Sequence, residues 1–267
     1  MKCATTSLHY YLSLHPELYM TPEKELHFFV EERNWHKGLA WYEDHFRKRA
    51  AVRGESSTTY TRFPHVRGVP ARMRAVVPDA RLIYIVRDPI ERVVSHYVHE
   101  YAAGREHRTL EAALENLTAN PYVDLSRYYM QITQFLEHYP QPRFLVITAE
   151  SLSRRPLETM QRVYGFLGVR DLFRDDRFSL RKHASQDKRR LTSTGAALAW
   201  LPQTWLAQRL PPAVRRYAWR LMTIPLSAPV ERPVLGDSLR RRLGDALQDD
   251  IDRLRPLVDH ADADWLR

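Results

Sequence analysis

Two arginines and a hydroxyl are spaced to hold an anion in Arg87-Asp88-Pro89-Ile90-Glu91-Arg92-Val93-Val94-Ser95. The apolar run before them, Leu82-Ile83-Tyr84-Ile85-Val86, reads as a buried parallel strand. Asp88 is then a good N-cap, and Pro89 stands at the first helical position, where its missing N–H costs nothing. A strand therefore delivers Arg87 to a sheet's edge as a helix begins, and Arg92 and Ser95, three residues apart, share a face of that helix. Such a turn can hold a phosphate; the plainer alternative is a solvated helix start with a surface arginine.

The first residues offer a second anion. Lys2-Cys3-Ala4-Thr5-Thr6-Ser7-Leu8 leads into an amphipathic segment, His9-Tyr10-Tyr11-Leu12. A lysine before a Thr-Thr-Ser cluster at a helix start supplies a compact charge, hydroxyls and backbone N–H donors. An ordinary capped helix is the plainer alternative here too. The segment is no Walker loop, because that motif needs two glycines and the first glycine of this chain is Gly38. No Gly-x-Gly-x-x-Gly is present, so the dinucleotide fingerprint is also missing.

Together the two segments resemble the sulfotransferases that use 3′-phosphoadenosine 5′-phosphosulfate (PAPS), most of all the carbohydrate and heparan-sulfate-type branch and its bacterial relatives. In that family a Lys-x-Gly/Ala-Thr-Ser/Thr loop cradles the 5′-phosphosulfate, and a later strand–Arg–helix–Ser segment holds the 3′-phosphate. The likeness extends through Lys24-Glu25-Leu26-His27-Phe28-Phe29, Gly54-Glu55-Ser56-Ser57-Thr58-Thr59-Tyr60 and Ser126-Arg127-Tyr128-Tyr129. It continues through Val146–Leu152 and Val163–Gly168 and ends on Asp264-Trp265-Leu266.

The resemblance implies PAPS as co-substrate and no metal. It implies that Lys2, Cys3, Ala4, Thr5, Thr6, Ser7, Arg87 and Ser95 bind the nucleotide, with Lys2 neutralising charge on the leaving oxygen. Glu25 is the implied base, with His27 as its rival; burial near Phe28 and Phe29 is expected to raise the Glu25 pKa. Lys24 would bind sulfuryl or phosphate oxygens, while Glu55 and Tyr60 would line the acceptor side. Tyr129 matches a family tyrosine that contacts nucleotide or packs. Lys188, Arg189 and Arg190 match in position a loop that closes over the phosphates, although solvated charge is the default for such runs. The family also has a buried strand just before the lysine loop, and here Met1 directly precedes Lys2. The expectation is a chain less stable and less active than one longer by about ten residues, a strand plus its turn.

These residues need a scaffold. Candidate strands at 18–20, 51–55, 81–86 and 144–148 alternate with candidate helices at 6–15, 39–47, 64–77, 89–101, 110–117, 125–139 and 156–167. That alternation implies an α/β fold with a parallel sheet. With the resemblance it becomes a P-loop-like three-layer sandwich, helices on both faces of a central parallel sheet that lacks its first β-strand. Residues 181–190 form a basic loop, 196–234 mix Trp200, Trp205 and Trp219 with prolines and arginines, and 237–259 read as a long helix. The expected organisation is one sulfotransferase domain over 1–267, with a nucleotide-binding core at 1–180 and a helical C-terminal cap at 181–267.

Length and charge agree with this. The 267 residues suit one α/β domain, and a net charge of +9 with pI near 9.7 favours anionic partners. One cysteine rules out an intrachain disulfide framework and fits a reducing compartment, so a cytoplasmic location is the default. No apolar run is long enough to span a membrane. The acceptor would be a small molecule, a glycan or a glycolipid, with no nucleic acid expected. Two other classes compete. A nucleotide kinase lacks its Walker loop and a carboxylate for Mg2+. A basic binding protein for nucleic acid or acidic glycan, or a catalytically impaired relative, has no need of Lys2, Glu25, Arg87 and Ser95 in this order.

Overall fold

The computed structural model describes residues 1–179, 189–191, 227–258 and 263–266. The chain divides into two bodies, the first comprising Met1–Val93, Asn116–His183 and Gly236–Arg267, the second Val94–Glu115 and Ala184–Leu235.

The first body is built on parallel strand pairs. β1 (Leu18–Met20) runs parallel to β2 (Val52–Gly54), and β3 (Leu82–Val86) to β4 (Phe144–Thr148). In the second pair Leu82 lies opposite Phe144 and Val86 opposite Thr148, so an apolar run meets four apolar residues and a terminal threonine along its length. Parallel strands cannot be joined by a tight hairpin. The connection from β1 to β2 carries α2 (Gly38–Asp44), and that from β3 to β4 carries α4 (Pro89–Ala102) and α7 (Tyr128–Leu136). The first body also holds α1 (Thr5–Leu14), α3 (Val69–Val76), α6 (Pro121–Asp124), α8 (Ala149–Arg154) and α9 (Pro156–Leu167).

All four expected strands form. The helix expected over 64–77 is shorter because Gly68, at φ +73°, starts it only at Val69. The one expected over 125–139 narrows to α7, after a separate turn, α6, which Asn120 caps by accepting from the Tyr122 N–H.

An aromatic cluster anchors the segment that follows β1. Leu26, Phe28, Phe29 and Val30 are buried with Tyr42, Val69, Met73 and Tyr139. Phe28 stacks on Tyr42 with ring centroids 4.4 Å apart and meets Phe29 edge-on at 5.0 Å. Each fully buried ring of this kind stabilises the fold by roughly 1.5–3 kcal/mol.

The long helix Asp237–Leu254 buries Leu239, Leu243, Leu247, Ile251 and Leu254 along one stripe. Its Asp250 carboxylate accepts the backbone N–H groups of Tyr129 at 2.9 Å and Met130 at 2.8 Å. It thereby caps α7, whose own N-cap residue Arg127 offers no side-chain bond. The sequence groups this helix with a cap over 181–267, whereas its packing joins it to the core body.

The second body contains the later part of α4 and the short α5 (Leu110–Ala113), well short of the helix expected over 110–117. Its β5 (Arg189–Leu191) pairs antiparallel with β6 (Ser227–Pro229). The expected helical cap over 196–234 lies outside the described residues up to 226. Among the described residues no helix is long and apolar enough to cross a membrane.

Candidate functional site

The lysine loop sits against the C-terminal end of β3. Lys2 (φ +72°) and Ala4 (φ +58°) both take left-handed backbone conformations, and α1 begins without a side-chain cap. Such conformations cost non-glycine residues about 1–3 kcal/mol each and collect where geometry serves function. The Arg87 Nη1 donates to the Lys2 carbonyl at 3.3 Å, which ties the loop to the strand end. Buried Cys3 lies beneath it, its Sγ 3.5 Å from the hydroxyl of Tyr128.

The strand-to-helix turn forms as its residues require. The Asp88 carboxylate accepts from the N–H groups of Ile90 at 2.8 Å and Glu91 at 3.0 Å, capping α4, while the Asp88 N–H donates to Glu150 at 3.1 Å. Arg87 pairs loosely with Glu91 at 4.0 Å, and its Nε is buried without a hydrogen-bond partner. A buried donor left unpaired is costly, so this atom fits a site for an anion.

Arg92 does something else. Its side chain is fully buried and donates to the Tyr122 carbonyl at 3.1 Å and to Ser126 Oγ at 3.2 Å. The expectation of two arginines gripping one anion is corrected here: Arg87 faces the turn, while Arg92 pins α4 to α6. Helix periodicity puts Arg92 on a face without saying whether that face meets water.

A second strained loop carries Lys24, Glu25 and His27. Glu25 (φ +68°) and His27 (φ +50°) are half-buried and alternate with Leu26 and Phe28, both fully buried in the aromatic cluster. The segment 55–60 closes over them from β2. The Glu25 N–H donates to the Ser56 carbonyl at 2.9 Å. The Thr58 N–H and hydroxyl both donate to Glu25 Oε2, at 2.7 and 3.0 Å. The His27 N–H donates to Ser57 Oγ at 3.0 Å, and its Nδ1 is 2.7 Å from Thr59 Oγ1. Lys24 donates to Glu25 Oε1.

Burial pushes the Glu25 carboxyl up, but the hydrogen bond and charge of Lys24 and the two Thr58 donors outweigh it. Its pKa therefore lies below the ordinary glutamate value, opposite to the expected direction. Apolar surroundings are present, but paired cationic and N–H donors are stronger at contact distance. Burial also holds His27 below the usual histidine value despite the nearby Glu25 carboxylate, leaving the ring neutral at pH 7. Glu55 goes the other way, raised by burial although the hydroxyls of Tyr60 and Ser57 donate to it.

The two loops share a support. His9 on α1 places Nδ1 3.0 Å from Ser56 Oγ, and the charges of Lys24 and Glu25 reach its ring. The structure thus gathers Lys2–Ser7, Lys24, Glu25, His27, Glu55, Tyr60 and Arg87 within one body. Tyr129 is half-buried at the start of α7, and its neighbour Tyr128 is the tyrosine that meets Cys3.

Ser95 belongs to the second body and is fully buried on α4. Arg189 and Arg190 are also in the second body. Arg190 lies 4.0 Å over the Tyr101 ring and 2.9 Å from His107 Nδ1, and Arg189 donates to Ser227 Oγ at 2.9 Å. Lys188 lies outside the described residues. Among the described residues no group of three or more His, Cys, Asp or Glu side chains could hold a metal ion.

Sequence reasoning passed over Ser56, Ser57, Thr58 and Thr59 as individual site residues. The signal was there, in four consecutive hydroxyl residues after a strand, a run with more polar side chains than a turn requires.

Parallel strand pairs joined through helices define an α/β protein, with a lysine loop and an arginine turn in one body. Residues 1–196 match the sulfotransferase domain family, and the chain belongs to that family. It is 30% identical over 185 residues to mouse heparan sulfate glucosamine 3-O-sulfotransferase 3B1, covering 66% of this chain and 46% of that one. It is 28% identical over 190 residues to human bifunctional heparan sulfate N-deacetylase/N-sulfotransferase 2, covering 63% of this chain and 21% of that one. The chain thus spans about half the length of the 3-O-sulfotransferase it matches and a smaller share of the bifunctional enzyme. The crystal structure of a sulfotransferase from Alicyclobacillus acidocaldarius superposes with TM-score 0.59 at 27% identity, covering 82% of this chain and 95% of that one.

Proposed function

We propose that the chain is a sulfotransferase that moves a sulfuryl group from PAPS to a hydroxyl or amine of a carbohydrate acceptor, a glycan or glycolipid. The observation that carries this is the gathering, in one body, of a strained lysine loop tied to Arg87 and a carboxylate held beside a second lysine. The names of the relatives, which specify heparan sulfate glucosamine, support a carbohydrate acceptor. The parallel pairs β1–β2 and β3–β4, each a separate two-stranded sheet, support parallel strand order, and in the proposed architecture they unite in a central sheet with helices on both faces.

PAPS supplies the phosphosulfate anhydride whose sulfuryl group is transferred. Lys2 holds the phosphosulfate and neutralises charge on the leaving oxygen, helped by the hydroxyls of Thr5, Thr6 and Ser7 and the start of α1. Arg87, with its buried and unpartnered Nε, fits the 3′-phosphate. Lys24 meets sulfuryl oxygens. Glu25, ionised at neutral pH, takes the acceptor's proton, and His27 is a neutral imidazole one hydrogen-bonded layer away. Glu55 and Tyr60, bonded to each other, line the acceptor side.

The test is transfer of labelled sulfate from PAPS to a panel of glycans, glycolipids and phenols, beside thermal-shift titrations with adenosine 3′,5′-bisphosphate and with ATP plus Mg2+. Labelled carbohydrate and stabilisation by the bisphosphate are expected. Stabilisation by ATP plus Mg2+ alone, with no transfer, would overturn the assignment in favour of a kinase.

A further inference from the structure

The segment 56–59 holds both loop carboxylate and loop imidazole, yet nothing in the proposed chemistry uses it. Thr58 is its most committed member, because its backbone N–H and its hydroxyl converge on one oxygen, Glu25 Oε2, at 2.7 and 3.0 Å. The other oxygen, Oε1, belongs to Lys24. A carboxylate bonded on both oxygens has one orientation, and Thr58 opens a short 3₁₀ turn (Thr58–Thr61) whose member Thr59 is buried. The chelating residue is therefore itself held in place.

We propose that Thr58 is a positioning residue for Glu25: its hydroxyl and N–H fix the carboxylate so that the ionised oxygens stay oriented while Lys24 engages the sulfuryl group. This rests on the assignment of Glu25 as base. Lys24 cannot both bind transferring sulfuryl oxygens and remain the main anchor of Glu25, whereas Thr58 has no such second duty. Among the described residues, the side chains whose charges bear on Glu25 are Lys24 and His27 on its own loop, Glu55 at the end of β2 and His9 on α1. None of them supplies two donors to one oxygen.

Thr58→Val keeps the β-branched shape and removes only the hydroxyl, and Thr58→Ser restores it. Carboxyl 13C NMR titration follows Glu25 directly, its resonance identified by loss in Glu25→Gln. The expected result is a rise of about half to one pH unit in Glu25 titration for Thr58→Val, as for loss of one donor to a carboxylate, with return towards wild type in Thr58→Ser. The acid limb of kcat/KM should move up with it, kcat falling while KM for PAPS holds. An unmoved Glu25 titration in a folded Thr58→Val overturns the proposal. A fully active Glu25→Gln overturns instead the base assignment beneath it, and the two failures are separable because the NMR readout does not depend on turnover.

Discussion

The two strained loops of the first body meet opposite demands. At the lysine loop, α1 starts without a side-chain cap and Arg87 leaves a buried Nε unpartnered, which in the proposed function leaves donor capacity for the nucleotide. At the Lys24–His27 loop the polar groups are bonded to the protein itself, mostly to residues some thirty positions away. The difference follows from chemistry. A binding loop gains when its donors are satisfied by the ligand, whereas a proton-accepting group must be oriented before the ligand arrives. Both loops use left-handed non-glycine residues, and four of the five such residues among those described lie in them.

The sharpest way to break that comparison is to separate turnover from binding. Glu25→Gln should lower kcat by about 10²–10⁴-fold, the usual worth of a positioned base, with bisphosphate affinity nearly unchanged by calorimetry. Equal loss of affinity would mean that the second loop also builds the nucleotide site. Arg87→Ala should do the reverse. It should weaken adenosine 3′,5′-bisphosphate by about 10–100-fold, as for a lost charge-assisted pair, and leave adenosine 5′-phosphate almost unaffected. Parallel weakening of both nucleotides would remove Arg87 from the 3′-phosphate.

A smaller effect tests the electrostatics. Against the push of burial, Glu25 is held below its ordinary pKa by Lys24 and the Thr58 donors, and the proposed base role needs it ionised. Activity is therefore retained as pH falls to the ordinary glutamate range and is lost only as pH falls through the depressed value. Lys24→Met removes the stabilising charge, so the acid limb of the kcat/KM profile should move to higher pH. A limb that stays in place would assign it to another group.

The smallest expected effect lies away from both loops. Asp250→Ala should lower stability by about 1–2 kcal/mol, the worth of a helix cap, read as a drop in thermal midpoint with the catalytic pH profile unchanged. No loss of stability would show that α7 finds another cap.

Much of the scaffold was legible from residue order. The runs at 82–86 and 144–148 form strands as read, although β3 is fully buried only at Ile85 and Val86, and Asp88-Pro89 marks a helix start that forms. What escaped was anything that depends on facing. Arg92 and Arg87 look alike in sequence, yet one is a core pin and the other lines the turn, because periodicity gives a face and not its neighbour. The Glu25 pKa departs from the expected direction for the same reason. Nearby phenylalanines are visible in the sequence, while Thr58, 33 positions away, is a contact that only folding creates. The cap on α7 spans 121 positions and has no local signature.

The sequence by itself determined the family, the lysine loop, the strand–Arg87–helix turn and the glutamate beside a lysine, because these rest on residue type and local spacing. The tertiary structure decided which arginine faces the site, how the carboxylate is held and which way its protonation is biased. Those depend on distances between segments far apart in the chain. Electrostatic and hydrogen-bond energies change by whole kilocalories within a few ångströms, and no local pattern carries that information.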